Sequence, residues 1–467
     1  MSPSLFGSLG IARDALAAQQ LALDVAQNNI ANVNTPGYAR QRVNFVPGDP
    51  IAQDIYQLGA GVRVDSIESY RSRFLDHRVN EELQRQGEFS ASASTLQQVE
   101  ALFNDTSESG LQSVIAAFFN SFSSLANAPE DVTLRQQVLA CAENLGAQFR
   151  QKYESLQSVQ MLQDRAIADT VADINSLAAN IASLNAELVA ASGSQSNEGT
   201  LRDQRQLLID QLAELTDIAY FETESGSITI MSRQGATLVV GDGSTPWQVS
   251  ASTSDTALHV TAGGVDITSK IQSGKLGGLL KVRDTQIAGY LSMLDDMAAA
   301  IIDRVNTQHA EGEDLNGELG GDFFVPFASV IPGSSQGAAR ALNLAITDPA
   351  LIAAAGAGAG IGSNANARKL AGIQDQPILS GDGATVDQAY TNLIYNIARD
   401  TKNVVDGLET QNQLLTQLQN QRDAVIGVSL DEEAVSILRF QKAYQANARI
   451  ISIIDSLTEE MIQLLGG

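Results

Sequence analysis

The residue types that most often carry out chemistry are scarce in this chain. It has one cysteine, Cys141, and three histidines, His77, His259 and His309. One cysteine can neither form an intrachain disulfide nor hold an iron–sulfur cluster, and the histidines do not have the spacing of metal ligands. We therefore predict no catalytic residue, no cofactor and no metal site. Cys141 lies on the apolar face of a predicted helix, where it would be a small core residue, and we expect His309 to be a helix cap or a surface residue.

Three segments look like ligand-binding or catalytic motifs but lack a required part. Residues 333–337 fit the G-x-S-x-G pattern, yet no histidine follows them, as the order of a hydrolase triad requires. Residues 273–276 contain Gly-Lys without the rest of a phosphate-binding loop. Residues 311–322 are rich in carboxylates but do not have the spacing of an EF-hand. We interpret the first as a Gly/Ser loop and the last as a solvated acidic turn, and a phosphate site at the second is disfavoured.

The charge balance limits the classes of partner. Lys and Arg number 29 against 54 Asp and Glu, which gives a formal net charge of −25 over 467 residues. Such a chain repels phosphate backbones and anionic lipid, so nucleic acid and membrane surfaces are disfavoured as partners. No apolar run reaches the roughly 18 residues of a membrane span. Residues 1–23 also lack the basic and unbroken apolar regions of a secretory signal, which leaves cytoplasmic residence or export without a cleaved signal.

Both ends of the chain carry the repeat of a coiled-coil helix. Mostly apolar positions recur at alternating steps of four and three residues over 5–33 and again over 437–465. Pro36 and Gly37 form a turn that ends the first helix, because proline lacks a donor and glycine accepts positive φ. Each apolar stripe is too narrow for a globular core and suits a partner helix. We therefore expect the two terminal helices to pair with each other and with neighbouring copies.

The predicted fold class is mainly α with a small β insertion. The terminal helices form a coiled-coil-like domain of residues 1–37 and 430–467, and an elongated, mainly helical domain comprises residues 38–216 and 277–429. A β-rich insertion domain of residues 217–276 contains short strand patterns separated by glycine turns. Trp247 is expected to anchor the core of that module.

Residues 27–38 closely resemble the N-terminal signature of bacterial flagellar axial proteins, the family of rod, hook and hook-associated proteins. Residues 430–434 and 439–448 resemble the C-terminal signature of the same family. Two internal stretches, 273–284 and 306–324, contain motifs similar to a hook-associated member, and rod or hook subunits would lack 273–284 and 320–324. The resemblance thus spans the whole chain.

The resemblance implies a structural, non-enzymatic role at the junction between hook and filament. The protein would leave the cytoplasm through the flagellar type III export system and end in the extracellular flagellum. Implied partners are further copies in a ring-like helical layer, the hook protein, the next hook-associated protein, the export apparatus and an export chaperone that binds the C-terminus. Alternatives are a hook or rod subunit, a secreted glycan hydrolase on an axial scaffold, or a cytoplasmic coiled-coil adaptor.

The assembly interface is predicted to use the two terminal repeats and the asparagine-rich end of the first helix. Its expected residues are Leu9, Leu16, Leu23, Asn29, Ile30, Asn32, Phe440, Tyr444, Asn447, Ile451, Ile454 and Met461.

Overall fold

The computed structural model describes residues 3–49, 51–53, 56–104, 110–191, 198–223, 225–251, 258–329, 331, 333–379 and 383–465. The helices are α1 (Pro3–Ala31), α2 (Arg73–Leu102), α3 (Leu111–Leu125), α4 (Val132–Ala191), α5 (Glu198–Leu215), α6 (Gly274–Lys281), α7 (Ala288–Ala310), α8 (Ala338–Ala341), α9 (Ala365–Ala371), α10 (Val386–Ile426) and α11 (Leu430–Leu465). A π-helical turn, Val282–Ile287, joins α6 to α7. The mainly helical fold predicted from the sequence is confirmed.

The strands are short and form small antiparallel sheets. They are β1 (Gln41–Pro47), β2 (Ile51–Gln53), β3 (Tyr56–Leu58), β4 (Val62–Ser69), β5 (Ala219–Glu222), β6 (Ile228–Met231), β7 (Thr237–Val240), β8 (Gly243–Ser244), β9 (Trp247–Ala251), β10 (Leu258–Ala262), β11 (Val265–Asp266), β12 (Gly312–Glu313) and β13 (Ala355–Gly356). β1 pairs with β4, β2 with β3, and β12 with β13. The remaining strands form two sheets, in the orders β5-β6-β7-β8 and β11-β10-β9.

The two terminal helices pack against each other along their length. The end of α1 meets the start of α11, where Asn29 contacts Glu433, so the two helices run antiparallel. The β1–β4 hairpin lies against this pair, with the rings of Phe45 and Phe440 6.3 Å apart. The pairing of the two ends follows the expectation from their matching repeats, because each helix buries its apolar stripe on the other.

The main core lies among α2, α3, α4, α7 and α10. Its centre is a group of fully buried phenylalanines whose rings touch edge to face or at a tilt: Phe118, Phe119, Phe122, Phe323 and Phe324. Cys141 packs against this core, as expected, and burial raises the pKa of its thiol. The sequence pattern predicts a helix only over 93–103, but α2 begins 20 residues earlier at Arg73, because tertiary packing on α10 and α6 orders its polar first half.

A second core joins the two sheets of residues 219–266 to α4 and α5. Trp247 is 1 % exposed and belongs to this core, which confirms the expectation that it anchors the module. Its backbone N–H donates to Asn175 Oδ1 over 2.8 Å, and its carbonyl accepts from Asn175 Nδ2 over 2.8 Å. The side chain of Asn175 thereby fixes the start of β9 on α4.

Glycine allows α2, α5 and α6 to approach each other closely. A Cβ at Gly87 would lie 2.0 Å from the carbonyl oxygen of Glu214, and one at Gly278 would lie 2.4 Å from that of Glu88. Gly274 has φ +75°, and its Cβ would meet the backbone of Thr216. The Gly-Lys segment of residues 273–276 therefore serves helix packing, since Gly274 is needed for the backbone contact with Thr216.

Candidate assembly site

No described helix is long and apolar enough to cross a membrane. Where the structure describes the chain, no group of three or more His, Cys, Asp or Glu residues is placed to hold a metal ion. The site of interest is accordingly the terminal helix pair and its connection to the rest of the chain.

The predicted interface residues divide by position within the helix pair. Asn29 and Ile454 are buried in the single chain. Met461 is exposed, and the others are half-buried: Leu9, Leu16, Leu23, Ile30, Asn32, Phe440, Tyr444, Asn447 and Ile451. The side chains of Leu5 and Leu465, which begin and end the repeats, lie outside the described residues.

The outer face of α11 carries a second apolar stripe that the sequence prediction missed. Large side chains here are 44–65 % exposed: Val435, Leu438, Ile450, Ile453 and Leu457. The predicted repeat contains only one apolar stripe. Isoleucine occupies both positions of the adjacent pairs 450–451 and 453–454, which indicates a helix with two apolar faces. One member of each pair turns towards α1 and the other away from it. The outer stripe is therefore available to another chain.

Asn29 uses both ends of its amide to hold the chain after α1. Its Nδ2 donates to the carbonyl of Gln41 over 2.8 Å, and its Oδ1 accepts from the N–H of Gln41 over 2.9 Å. The hydroxyl of Tyr38 donates to the same Oδ1 over 2.8 Å, and Nδ2 also reaches Glu433 over 3.3 Å. Asn32, by contrast, bonds to Asn28 within its own helix. The asparagine-rich end of α1 thus combines a tertiary clamp with helix termination.

Arg40 connects the same region to the start of α11. Its guanidinium lies 2.6 Å from carboxylate oxygens of both Glu432 and Glu433. The Glu433 side chain is only 3 % exposed, so the ion pair with Arg40 offsets the cost of burying its carboxylate. The backbone N–H of Arg40 donates to the carbonyl of Ile426, and its carbonyl accepts from the N–H of Tyr70. Arg40 therefore ties together three connecting segments: the one after α1, the one between β4 and α2, and the one between α10 and α11.

Helix α5 supplies the second half of this connection. Asp203 accepts from the N–H of Ala39 over 2.9 Å and from Arg71 over 2.7 Å, while Asp210 pairs with Arg422 over 2.9 Å. Burial raises the pKa values of both aspartates, and the neighbouring arginines oppose that effect. Burial, Asp203 and Glu433 together raise the pKa of Tyr38 to about 12. We call the contacts of Asn29, Arg40, Glu433, Asp203 and Asp210 the joint.

His309 corrects the expectation of a cap or surface residue. The side chain is fully buried, and its Nε2 accepts from the N–H of Ala353 over 2.9 Å. Its Nδ1 therefore donates to the carbonyl of Gly321 over 2.7 Å, and burial lowers the pKa of the ring. The nearby Asn306 amide bonds to the backbone of Phe323 and Phe324 in the same manner. The conspicuous residues of 306–324 thus hold loops onto the main core.

Matches to known families cover both ends of the chain. Residues 9–38 match the family described as "Flagella basal body rod protein", and residues 424–464 match "Flagellar basal body rod FlgEFG protein C-terminal". These segments contain most of α1 and almost all of α11, the pair whose geometry forms the site. Together they define the class: an axial protein of the bacterial flagellum.

The middle of the chain narrows the class to one family. Residues 96–324 match "Flagellar hook-associated protein FlgK helical domain". The chain is 32 % identical to flagellar hook-associated protein 1 of Bacillus subtilis (strain 168), over 99 % of each chain. It is 26 % identical to the protein of that name from Escherichia coli (strain K12), over 97 % of this chain and 98 % of the other. The chain belongs to the flagellar hook-associated protein 1 family.

A solved structure shares the fold. The flagellar hook junction protein FlgK from Burkholderia pseudomallei superposes with a TM-score of 0.67 at 16 % identity, covering 74 % of this chain and 100 % of that one. The resemblance found in the sequence motifs is confirmed by these comparisons.

Proposed function

We propose that this protein is a structural subunit of the hook–filament junction of the bacterial flagellum. The observation that carries the proposal is the 32 % identity to flagellar hook-associated protein 1 over 99 % of both chains. Export through the flagellar type III system, guided by a chaperone at the C-terminus, would bring the chain to the extracellular end of the hook. There it would contact the hook protein on one side and the next hook-associated protein on the other.

Self-association in a ring-like layer is the second element of the proposal. The exposed stripe on α11 supports it, because side chains such as Leu438, Ile453 and Leu457 lose water contact only against another chain. The side chains of Leu16, Leu23, Phe440, Tyr444 and Ile451 are only half-buried in the single chain, and neighbouring helices would complete their burial. The joint supports a defined direction of the helix pair relative to the body, since it ties three connecting segments together.

A structural role without catalysis also agrees with the surroundings of His309 and Trp247. Both ring nitrogens of His309 are used by backbone groups, and Trp247 is buried, which leaves its ring unable to stack on a sugar. A glycan hydrolase would need an exposed aromatic ring on which a sugar stacks, and Trp247, the one tryptophan of the chain, does not provide it. A rod or hook subunit is a further alternative, and the match over 96–324 disfavours it.

A localisation experiment tests the proposal. A strain lacking this chain should make hooks that carry no filament and should release filament protein into the medium. Plasmid-borne protein with a small internal tag should restore filaments, and gold-labelled antibody should mark one band between hook and filament. Label along the hook or in the basal body, or filaments of normal length without the protein, would contradict it.

A further inference from the structure

We propose that the outer face of α11 binds the outer face of α1 of a neighbouring copy in the junction layer. The inference rests on the proposed function, because it names the surface that covers the outer stripe of α11 in that layer. The two faces lie on opposite sides of the helix pair, so one chain cannot bring its own two faces together. A contact between different surfaces of two copies is the kind that closes a ring or builds a helical layer.

The outer face of α11 is cationic as well as apolar. Lys442 and Arg449 follow Val435 at steps of seven residues, which keeps them on the outer stripe, and Arg439 lies one turn after Val435. All three cations are exposed, and residues 434–454 contain no Asp or Glu. Among the described residues, the ion pairs of α11 involve only the acidic side chains at its start. This face therefore suits a partner that supplies carboxylates.

The outer face of α1 has the complementary character. Its exposed positions recur at steps of four and three residues: Arg13, Ala17, Gln20, Asp24, Gln27 and Ala31. None of them is a large apolar residue, so the large side chains of the outer stripe can pack between them as knobs into holes. Residues 14–31 contain two acids, Asp14 and Asp24, and no Lys or Arg. Asp14 lies 3.2 Å from Arg13 at the surface, whereas Asp24 belongs to no ion pair of the described residues.

The register of the helix pair places the opposite charges at the same level. Asn29 and Glu433 are in contact, so these two positions of the antiparallel helices are level with each other. Asp24 lies five positions before Asn29, and the position five after Glu433 immediately precedes Arg439. Both helices rise by about 1.5 Å per residue, so the carboxylate of Asp24 and the guanidinium of Arg439 lie at nearly the same height on opposite sides of the pair.

A second pair of charges repeats this match. Asp14 lies ten positions before Asp24, and Arg449 lies ten positions after Arg439. Each step is about 15 Å along its helix, so these two residues are also level. Copies arranged around an axis parallel to the helix pair have the same residues at the same height. Two carboxylates of one copy then face two guanidinium groups of the next. Because the match comes from the internal register of this chain, a second copy is the favoured occupant.

Disulfide crosslinking between two co-expressed chains tests the contact. Both chains carry Cys141→Ala, and one has Asp24→Cys while the other has Arg439→Cys. Isolated flagella treated with copper phenanthroline as oxidant should yield a dimer of the two chains, and the pair Asp14→Cys with Arg449→Cys should do the same. The mismatched pair Asp24→Cys with Arg449→Cys is the control. Its positions are about 15 Å apart in height, beyond the reach of a disulfide, so its yield should be at least about fivefold lower.

The outcomes separate this inference from the proposed function. Equal yields from matched and mismatched pairs, or no dimer in flagella that contain both chains, would overturn the contact and leave the proposed function standing. Absence of the parent chain from flagella would overturn both.

A charge exchange gives an independent test. Arg439→Asp should keep the circular dichroism of the parent and reduce the number of filaments per cell at least about threefold, because it opposes two carboxylates at the contact. Adding Asp24→Arg to the same chain should restore filament numbers, since every copy in a ring supplies both faces. Normal filament numbers with Arg439→Asp alone, or no rescue by the second substitution, would reject the contact.

Discussion

Asn29 and Glu433 lie 404 positions apart in the chain and meet with 3.3 Å between amide nitrogen and carboxylate oxygen. Both side chains are almost fully buried, at 1 % and 2 % residue exposure. The contact joins the end of α1 to the start of α11 and lies beside the Arg40 ion pair. Buried polar groups need hydrogen-bond partners, so the contacts of these two side chains favour one orientation of the helix pair relative to the rest of the chain.

Replacing Asn29 by alanine should destabilise the helix pair. The substitution leaves the N–H and carbonyl of Gln41 without their partner, which costs about 2–3 kcal/mol for buried groups. Faster hydrogen exchange at Gln41 and through the first turns of α11 would report the loss. Asn32→Ala is the matched control, because Asn32 bonds within its own helix, and it should change exchange at these sites very little. Equal effects of the two variants would contradict the tertiary role of Asn29.

Two adjacent isoleucines of α11 should separate folding from assembly. Ile453 is 58 % exposed, whereas Ile454 is 8 % exposed and faces α1. Ile453→Glu should leave the circular dichroism and hydrogen exchange of the monomer unchanged but prevent incorporation into flagella, because the charge falls on the outer stripe. Ile454→Glu should also loosen the helix pair in the monomer, since it buries an unpaired charge. Normal incorporation of Ile453→Glu would exclude the outer stripe from the interface.

Two glycines in helices should respond to alanine with opposite signs. Gly87→Ala places a Cβ 2.0 Å from a backbone oxygen that cannot move aside, and we expect a loss of more than about 2 kcal/mol. Gly289→Ala adds a methyl group where nothing lies within 4 Å, so it should stabilise the chain by about 0.5–1 kcal/mol through helix propensity. Thermal unfolding midpoints measure both changes. A neutral Gly87→Ala would mean that α2 and α5 can separate.

Asp217 should make stability depend on pH. Burial raises the pKa of its carboxyl group to about 7, so the folded chain binds this proton more tightly than the unfolded chain does. The associated stabilisation is complete below the unfolded pKa, near 4, and is lost as the pH rises to about 7.

The variant Asp217→Asn tests this dependence. At pH 8 it should be more stable than the parent by on the order of 2 kcal/mol, because it removes a buried charge. At pH 4 the difference should nearly vanish. Denaturant unfolding at both pH values gives the measurement, and an equal difference at the two would show that ionisation of Asp217 is not the cause.

Local patterns predicted the elements well where a periodic signal was strong. The repeats at the two ends predicted α1 and α11, and the strands predicted from the sequence at 227–231, 236–240 and 247–251 agree with β6, β7 and β9 to within one residue. The first half of α2 was missed, because its polar residues Asn80, Glu82 and Gln84 hide the apolar period. These side chains are buried in contacts with distant segments, such as Gln84 with the carbonyl of Ile218. A periodic sequence pattern predicts a helix from the apolar residues expected to be buried. The prediction therefore fails where the buried side chains are polar.

The sequence by itself determined the class of this protein, its paired terminal helices and the absence of an evident chemical motif, because these follow from residue type and spacing. Only the tertiary structure decided that Asn29 serves the joint, that His309 is internal, and that Asp24 lies level with the residue before Arg439. Each of these facts depends on which distant backbone groups and side chains meet. Spacing along the chain records the period of a helix or strand, whereas partners separated by hundreds of residues are selected by packing of the whole core.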